Sequence, residues 1–173
     1  MPELRRGLPP VVGERPRLLI LGSFPGEESL RRQEYYAHPR NLFWPIMGAL
    51  AGAGPDLAYP QRLERLAAAG IALWDVLGAC RRQGSLDQRI EREAREPNDL
   101  RGFRQRYPSV EHCCLNGATA GAVYARLPAA VAPGLPATVL PSTSPAHARL
   151  RLAEKLERWR VALAPFLAEP EES

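Results

Sequence analysis

The chain contains few cysteines, and their spacing fits no common metal or disulfide pattern. Its three cysteines, Cys80, Cys113 and Cys114, are an odd number and include no CxxC pair, which argues against a disulfide framework or a zinc site. Three thiols are also fewer than the four ligands of an ordinary iron–sulfur cluster. We therefore expect buried structural thiols, and a protein that needs neither a metal nor another cofactor.

Long apolar segments are also missing from the 173 residues. No run approaches the roughly 20 apolar residues of a membrane span, and the first residues lack the apolar stretch of a signal peptide. We expect a cytoplasmic, nucleoid-associated protein with no membrane partner. With 45% hydrophobic and 24% charged residues, the composition predicts one globular domain over residues 17–167, preceded by a mobile leader or edge segment over 1–16 and followed by a tail over 168–173.

Positive charge is carried almost entirely by arginine. The net charge is +4 and the pI about 9.3, and Lys155 is the only lysine in the sequence. Guanidinium groups suit phosphate, and a basic surface favours nucleic acid. Because a GC-rich genome also favours arginine codons, charge alone leaves nucleic-acid binding undecided.

Four short apolar runs alternate with helical patterns. The runs cover residues 17–24, 71–77, 110–117 and 137–143, and continuous apolar runs of this length are typical of strands buried on both faces. Helices are predicted over 42–53, 61–69, 99–106 (with Asn98 as N-cap), 119–127 and 147–167. The alternation predicts an α/β fold with a mainly parallel sheet and helices on both faces.

Turn-rich segments follow three of these runs. They are GSFPG at 22–26, NGATA at 116–120 and STSPAH at 142–147. Since ligands bind at the carboxyl ends of strands in such sheets, we expect the first and last segments to be neighbours. GSFPG lacks the consensus of a P-loop or a dinucleotide site, so by itself it indicates either a simple turn or a loop that approaches a ligand. The hydroxyl groups of 142–147 suit phosphate, or Ser144 caps the following helix.

The most informative segment is YYAHPRNLFW at 35–44. Its mixture of aromatic rings, imidazole, guanidinium and amide is not needed by a folding core and suits a pocket for a flat polar ligand. Tyr36 is either a stacking surface for a base or a core residue. Asn41 either caps the following helix or holds a water through its amide. Asp75, in an otherwise apolar run, is either a hydrogen-bonded strand end or an acceptor for a ring N–H.

These segments together resemble the uracil-DNA glycosylase superfamily over about residues 18–150. The matching segments, in the family's order, are GSFPG, YYAHPRNLFW, LWDVL, LNGATA and LPSTSPAHA. The resemblance is strongest to the hypoxanthine-DNA glycosylase branch, family 6, and AHPxNxFW also resembles the mismatch-specific uracil/thymine glycosylases. It implies a three-layer α/β/α sandwich around a four-stranded parallel sheet. It also implies a monofunctional glycosylase that flips a damaged nucleotide out of DNA and needs no metal.

Two positions differ from most branches of that superfamily. Phe24 stands where many members have an Asp or Asn that positions water, and Leu140 stands where many have a His or Asn that contacts the base. The resemblance to family 6 places the catalytic amide in HPRN, at Asn41. We therefore expect hydrolysis of the N-glycosidic bond of deoxyinosine. The alternatives are a uracil- or mismatch-specific glycosylase and a non-catalytic binder of damaged DNA.

The expected site combines a catalytic residue with two binding groups. The catalytic residue is Asn41. The base-binding residues are Ser23, Phe24, Tyr36, Phe43, Asp75 and Asn116, and the DNA-binding residues are His38, Arg40, Ser142, Thr143, Ser144 and His147. The expected partner is double- or single-stranded DNA with a deaminated base, bound by a monomer without a metal, cofactor or membrane.

Overall fold

The computed structural model describes residues 3–82, 90–147 and 149–168, so residues 169–173 of the expected tail lie outside it. The strands are β1 (Leu4–Arg6), β2 (Leu18–Gly22), β3 (Ile71–Asp75), β4 (Leu77–Arg82), β5 (Ile90–Pro97), β6 (His112–Asn116) and β7 (Ala137–Leu140). The helices are α1 (Glu27–Arg32), α2 (Phe43–Ala51), α3 (Tyr59–Ala68), α4 (Leu100–Arg106), α5 (Ala118–Ala125) and α6 (Leu152–Leu163), which a 3-10 turn over Ala164–Phe166 extends. None of these helices has both the length and the apolar character to cross a bilayer.

A four-stranded parallel sheet forms the centre of the fold. Its strands lie in the order β3-β2-β6-β7, and each neighbouring pair is parallel. Every residue of β2 is buried, because helices cover both faces of this inner strand. The predicted α/β fold with a four-stranded parallel sheet is therefore confirmed.

Alternate side chains of β2 enter two separate cores. Leu18 and Ile20 pack with residues of α2, α3 and α6 on one face, whereas Leu19 and Leu21 pack with residues of α4 and α5 on the other. This alternation follows from the two-residue period of a strand. It produces the three layers of the expected α/β/α sandwich.

A second, antiparallel sheet of order β1-β4-β5 lies outside the predicted elements. Its middle strand begins where the apolar run 71–77 divides, after Asp75. The backbone N–H of Leu77 still donates to the carbonyl of Ser23 at 3.0 Å, and the chain then turns away to pair with β1 and β5. Because the apolar character of 71–77 is continuous, the pattern carries no sign of this division.

Residues 3–16 border this second sheet and reach the central one. Leu4–Arg6 pairs with β4, Leu8 is buried, and Val11 exchanges two backbone hydrogen bonds of 2.9 Å with Leu73 of β3. These residues therefore pair with β4 of the second sheet and with β3, the edge strand of the central sheet.

Helix α4 begins with a different cap from the predicted one. Asp99 Oδ1 accepts from the N–H of Gly102 at 2.9 Å, which satisfies a donor of the first turn. The Asn98 side chain, predicted as the cap, donates instead to the carbonyl of Asp75 at 2.8 Å. Asn98 therefore holds the end of β3, next to the cavity described below.

Candidate active site

A cavity of about 1320 Å³ opens at the carboxyl ends of the parallel strands. Residues that follow β2, β3 and β6 and the loop after β7 line it, as expected for an α/β sheet. Segments 22–26 and 142–147, far apart in sequence, both reach it. The site residues expected from the sequence that line it are Ser23, Phe24, Tyr36, His38, Arg40, Asn41, Asp75, Asn116, Ser142, Thr143, Ser144 and His147.

Phe43 is the one expected site residue that does not line the cavity. Its side chain is fully buried and stacks on Tyr36 with ring centroids 4.0 Å apart and planes inclined by 27°. Trp44 and Trp159 pack edge-on against it. The expected base contact of Phe43 is therefore corrected: its ring is covered by other aromatic rings, and it supports Tyr36 from behind.

Tyr36 has a left-handed backbone conformation that its neighbours hold in place. Its φ is 53°, which is uncommon for a residue with a side chain. On one side, the carbonyl of Tyr35 accepts from Trp44 Nε1 at 3.0 Å. On the other side, the N–H of Ala37 donates to Ser29 Oγ at 3.1 Å. Ser29 lies on α1, a helix of six residues that is too short for a periodic pattern to predict.

Asp75 and Tyr36 both approach the end of β2, where Gly22 leaves room for them. A Cβ at Gly22 would lie 2.5 Å from Asp75 Oδ1 and 3.3 Å from the Tyr36 hydroxyl oxygen. Asp75 is only 4% exposed. Burial, and after it the charge of Asp75, raises the pKa of Tyr35, as expected beside a carboxylate in low-dielectric surroundings.

Asn41 is fixed by the turn that its own segment forms. Its Oδ1 accepts from the N–H of Phe43 at 2.9 Å, and its N–H donates to the carbonyl of His38 at 3.0 Å. His38 Nδ1 accepts from the N–H of Arg40 at 3.1 Å. The side chain thus forms a tight turn just before α2, whose N-cap is Leu42 and not Asn41. Its carbonyl oxygen has a second lone pair for a water.

Asn116 and Thr143 join the end of β6 to the loop after β7. Asn116 Nδ2 donates to Thr143 Oγ1 at 2.9 Å, and Thr143 N–H donates to Asn116 Oδ1 at 3.0 Å. The carbonyl of Thr143 accepts in turn from the N–H of Leu42 at 3.0 Å. Thr143 is 1% exposed. Its hydroxyl joins this loop to the end of β6, and its carbonyl joins the loop to the segment that follows Asn41.

Serine side chains shape the loop at residues 142–147. Ser142 Oγ accepts from the N–H of Ser144 at 3.2 Å, and Ser144 Oγ accepts from the N–H of Ala146 at 3.3 Å. Such bonds compete with helix formation, so α6 begins at Leu152 and not at the predicted residue 147. Ser144 is therefore not the N-cap of α6.

Three basic residues at or near the cavity were not among the site residues expected from the sequence. Arg95 and Arg126 line the cavity, and Lys155 Nζ donates to the carbonyls of Ser142 and His147 at 2.7 and 2.6 Å. One sequence signal does point to Lys155. It is the only lysine, and with the four-residue spacing of Trp159 and Leu163 it falls on the buried face of α6.

Two groups of residues contribute no polar side chain to the cavity. Phe24 and Leu140, at 6% and 5% exposure, are core residues, consistent with the departures seen in the sequence. Cys113 and Cys114 are buried, and burial raises the pKa of each thiol to about 12. Within the described ranges, no group of histidine, cysteine and acidic residues is placed to hold a metal ion.

The structure is an α/β/α sandwich with a cavity at the carboxyl ends of its parallel strands, and known proteins identify its family. The sequence profile of the Uracil DNA glycosylase superfamily matches residues 9–165. A protein of Methanosarcina acetivorans named hypoxanthine DNA glycosylase is 40% identical over 147 residues, which cover 84% of this chain and 90% of that protein. A protein of Methanosarcina barkeri with the same name is 38% identical over 118 residues, which cover 68% and 73%.

A solved structure agrees with these relatives. It is the solution NMR structure of a Methanosarcina acetivorans protein, provisionally described as a uracil DNA glycosylase. It matches with a TM-score of 0.74 at 38% identity, covering 92% of this chain and 98% of that one. The chain therefore belongs to the uracil DNA glycosylase superfamily and is a DNA glycosylase.

Proposed function

We propose that this DNA glycosylase acts on deoxyinosine and releases hypoxanthine. The observation that carries the proposal is the position of the buried Asp75 carboxylate beside Tyr36, over Gly22. Hypoxanthine presents an N1–H donor that a carboxylate accepts well, whereas adenine presents a lone pair at N1 that a carboxylate repels. The names of the two Methanosarcina relatives support the same base.

Tyr36 is the stacking surface for the flipped base in this proposal. One face of its ring rests on Phe43, and the half-buried Tyr36 lines the cavity in which the base would bind. Stacking of a base on an aromatic ring is worth about 1–3 kcal/mol. Ser23 and Phe24 form the adjoining wall of the cavity and complete the base pocket.

Asn41 positions the attacking water. An amide is a poor base, so it acts by orientation, and its side chain is held by the bond to Phe43 N–H. The water oxygen forms a bond to C1′ while the bond from C1′ to the base nitrogen breaks and its electron pair leaves with the base. The proton lost by water ends on the departing hypoxanthine, and an abasic deoxyribose remains. The sugar carries most of the positive charge in the transition state.

The DNA backbone passes over the outer part of the cavity. His38, Arg40 and His147 are exposed, and they line the cavity together with Ser142 and Ser144. These side chains are donors of the kind that fix phosphates without reading sequence. The volume of about 1320 Å³ exceeds the roughly 300–1,000 Å³ of small-molecule pockets, which suits a nucleotide together with its flanking backbone.

A uracil glycosylase is the second candidate. Uracil also presents a ring N–H, at N3, which Asp75 accepts equally well, and the similar NMR structure carries a uracil description. Hypoxanthine has two rings and uracil has one. The two candidates therefore differ in the distance that the base spans between the sugar and Asp75.

The deciding experiment measures single-turnover release of base from duplexes of one sequence that contain deoxyinosine, deoxyuridine or deoxyxanthosine. An otherwise identical duplex with deoxyadenosine is the control. We expect the fastest formation of abasic sites from deoxyinosine and none from deoxyadenosine. Faster release of uracil would assign the second candidate, and no abasic product from any damaged duplex would contradict both.

A further inference from the structure

Lys155 lies buried beneath the loop after β7. It is the only lysine of the sequence and is 2% exposed. Its Nζ donates to the carbonyl of Ser142 at 2.7 Å and to that of His147 at 2.6 Å. These two residues are the ends of the loop whose side chains line the cavity, so one ammonium group closes the loop from its inner side.

This buried charge has no acidic partner in the described residues. The ion pairs there join arginine to glutamate, and the hydrogen-bond acceptors of Lys155 are the two carbonyl oxygens. A buried ammonium without a carboxylate is unfavourable, because carbonyl dipoles replace only part of its hydration. Burial accordingly lowers the pKa of Lys155.

A neutral bond from the same helix holds the same loop. Trp159 Nε1 donates to the carbonyl of Pro141 at 3.0 Å, one residue before Ser142. If α6 served only to fasten the loop, a neutral hydrogen-bond donor would be sufficient at position 155, as it is at Trp159. The charge of Lys155 therefore calls for a separate explanation.

We propose that Lys155 is the positioning residue of the phosphate-binding loop, and that a DNA phosphate on the outer side of residues 142–147 supplies its counter-charge. The inference rests on the proposed DNA-binding role of this loop. In the free protein, Lys155 holds the loop in the shape that presents Ser142, Ser144 and His147. In the complex, the phosphate neutralises the buried charge through a single layer of backbone, where water screens little.

The first test compares Lys155→Gln, which keeps an amide donor but removes the charge, with Trp159→Phe as the matched control. Kd is measured for a duplex with a tetrahydrofuran abasic-site analogue, between about 50 and 200 mM salt. For Lys155→Gln we expect a Kd about tenfold higher, and a plot of log Kd against log salt whose slope falls by about one. Trp159→Phe keeps the wild-type slope. An unchanged slope in Lys155→Gln, whatever its Kd, would overturn the proposal and leave Lys155 a structural contact.

The second test uses the wild-type chain and remains decisive if Lys155→Gln fails to fold. Because the sequence holds one lysine, ¹⁵N-lysine labelling yields a single side-chain nitrogen signal. We expect this ammonium signal to shift when the abasic-site duplex saturates the protein. A Lys155 signal that does not move on saturation would contradict the proposal.

The outcomes also separate this inference from the proposed function. Wild-type protein that cuts deoxyinosine DNA, together with an unchanged slope in Lys155→Gln, would refute the inference alone. If the salt slope of Lys155→Gln and the Lys155 ammonium signal both change as expected, but the wild-type protein cuts only deoxyuridine DNA, the proposed base alone would be refuted. Wild-type protein that does not bind the abasic duplex would refute both.

Discussion

Gly22 and Asp75 lie so close that a Cβ on Gly22 would be 2.5 Å from Asp75 Oδ1. The substitution Gly22→Ala therefore displaces the carboxylate that the proposal assigns to base recognition. We expect it to lower the unfolding free energy by about 1–3 kcal/mol, as overpacking does, and to lower the single-turnover rate on deoxyinosine. Gly7→Ala is the control, because the nearest atom to a Cβ there is 3.4 Å away. Wild-type rates for Gly22→Ala would show that Asp75 has no role in recognising the base.

Substitution of Tyr36 tests the stacking surface. Tyr36→Ala removes the ring that rests on Phe43, so we expect weaker binding of deoxyinosine DNA, by about 1–3 kcal/mol, or about 5- to 150-fold in Kd. Tyr36→Phe keeps the ring and should retain most of this affinity. Anisotropy titrations of both variants provide the measurement. Equal losses in the two variants would assign the effect to the hydroxyl group and not to stacking.

The proposed function gives Asn41 a catalytic role beside its structural one, and two variants separate the two roles. Asn41→Ala removes the acceptor of Phe43 N–H, so we expect stability to fall by about 1 kcal/mol, the usual contribution of one hydrogen bond. We expect the single-turnover rate to fall about 100-fold, because the water loses its orientation. Asn41→Asp keeps an acceptor oxygen for Phe43 N–H and should keep wild-type stability. If Asn41→Ala retained the full rate on deoxyinosine, the water-positioning residue would lie elsewhere.

The paired bonds between Asn116 and Thr143 predict an energetic coupling. Thr143→Val leaves the buried Asn116 amide without its hydroxyl acceptor, which costs about 1–3 kcal/mol. In an Asn116→Ala background the same change should cost less, with a coupling energy of about 0.5–3 kcal/mol from a double-mutant cycle. Urea unfolding of the four proteins gives this value. Identical costs in both backgrounds would mean that the bond contributes nothing to stability.

The buried thiols predict a loss of stability at alkaline pH. Burial raises the pKa of Cys113 and Cys114 from 9.0 to about 12, so the unfolded state loses these protons first. Their contribution is complete below pH 9 and is lost as the pH rises from about 9 to 12, at up to about 1.4 kcal/mol per pH unit for each group. Urea unfolding at pH 8 to 11 should therefore show a flatter pH dependence for Cys113→Ala/Cys114→Ala than for the wild type. Parallel curves would contradict this account.

Much of the central fold is predictable from local patterns. The four apolar runs became the four parallel strands, because continuous burial on both faces leaves a continuous signal in sequence. The second sheet is not predictable in this way. The residues of β5 include several charges, which is not typical of a buried strand. The three residues of β1 are recognisable as a strand only from the pairing of Leu4–Arg6 with β4.

The candidate site also has features that the sequence predicts and features that it does not. Residue types such as Asn41 and Tyr36 indicated a pocket through their chemistry, and parallel topology predicted that distant loops converge. For Phe43 the sequence left two roles open, a base contact and a floor that supports Tyr36, since a phenylalanine beside a pocket and one behind it look the same in sequence. The partners of Lys155 were not predictable either, although its place on the buried face of α6 was, because its two acceptors are backbone carbonyls, which every residue possesses.

The sequence by itself determined the class of fold and the order of the motifs, because periodicity and residue chemistry are local properties of the chain. The family followed from the resemblance of those motifs to known proteins. Only the tertiary structure decided which side chains face the cavity and which hold others in place. It stacked Phe43 behind Tyr36, brought Asp75 against Gly22 and set Lys155 beneath Ser142 and His147. These relationships join residues on different elements, and their distances depend on how the layers pack.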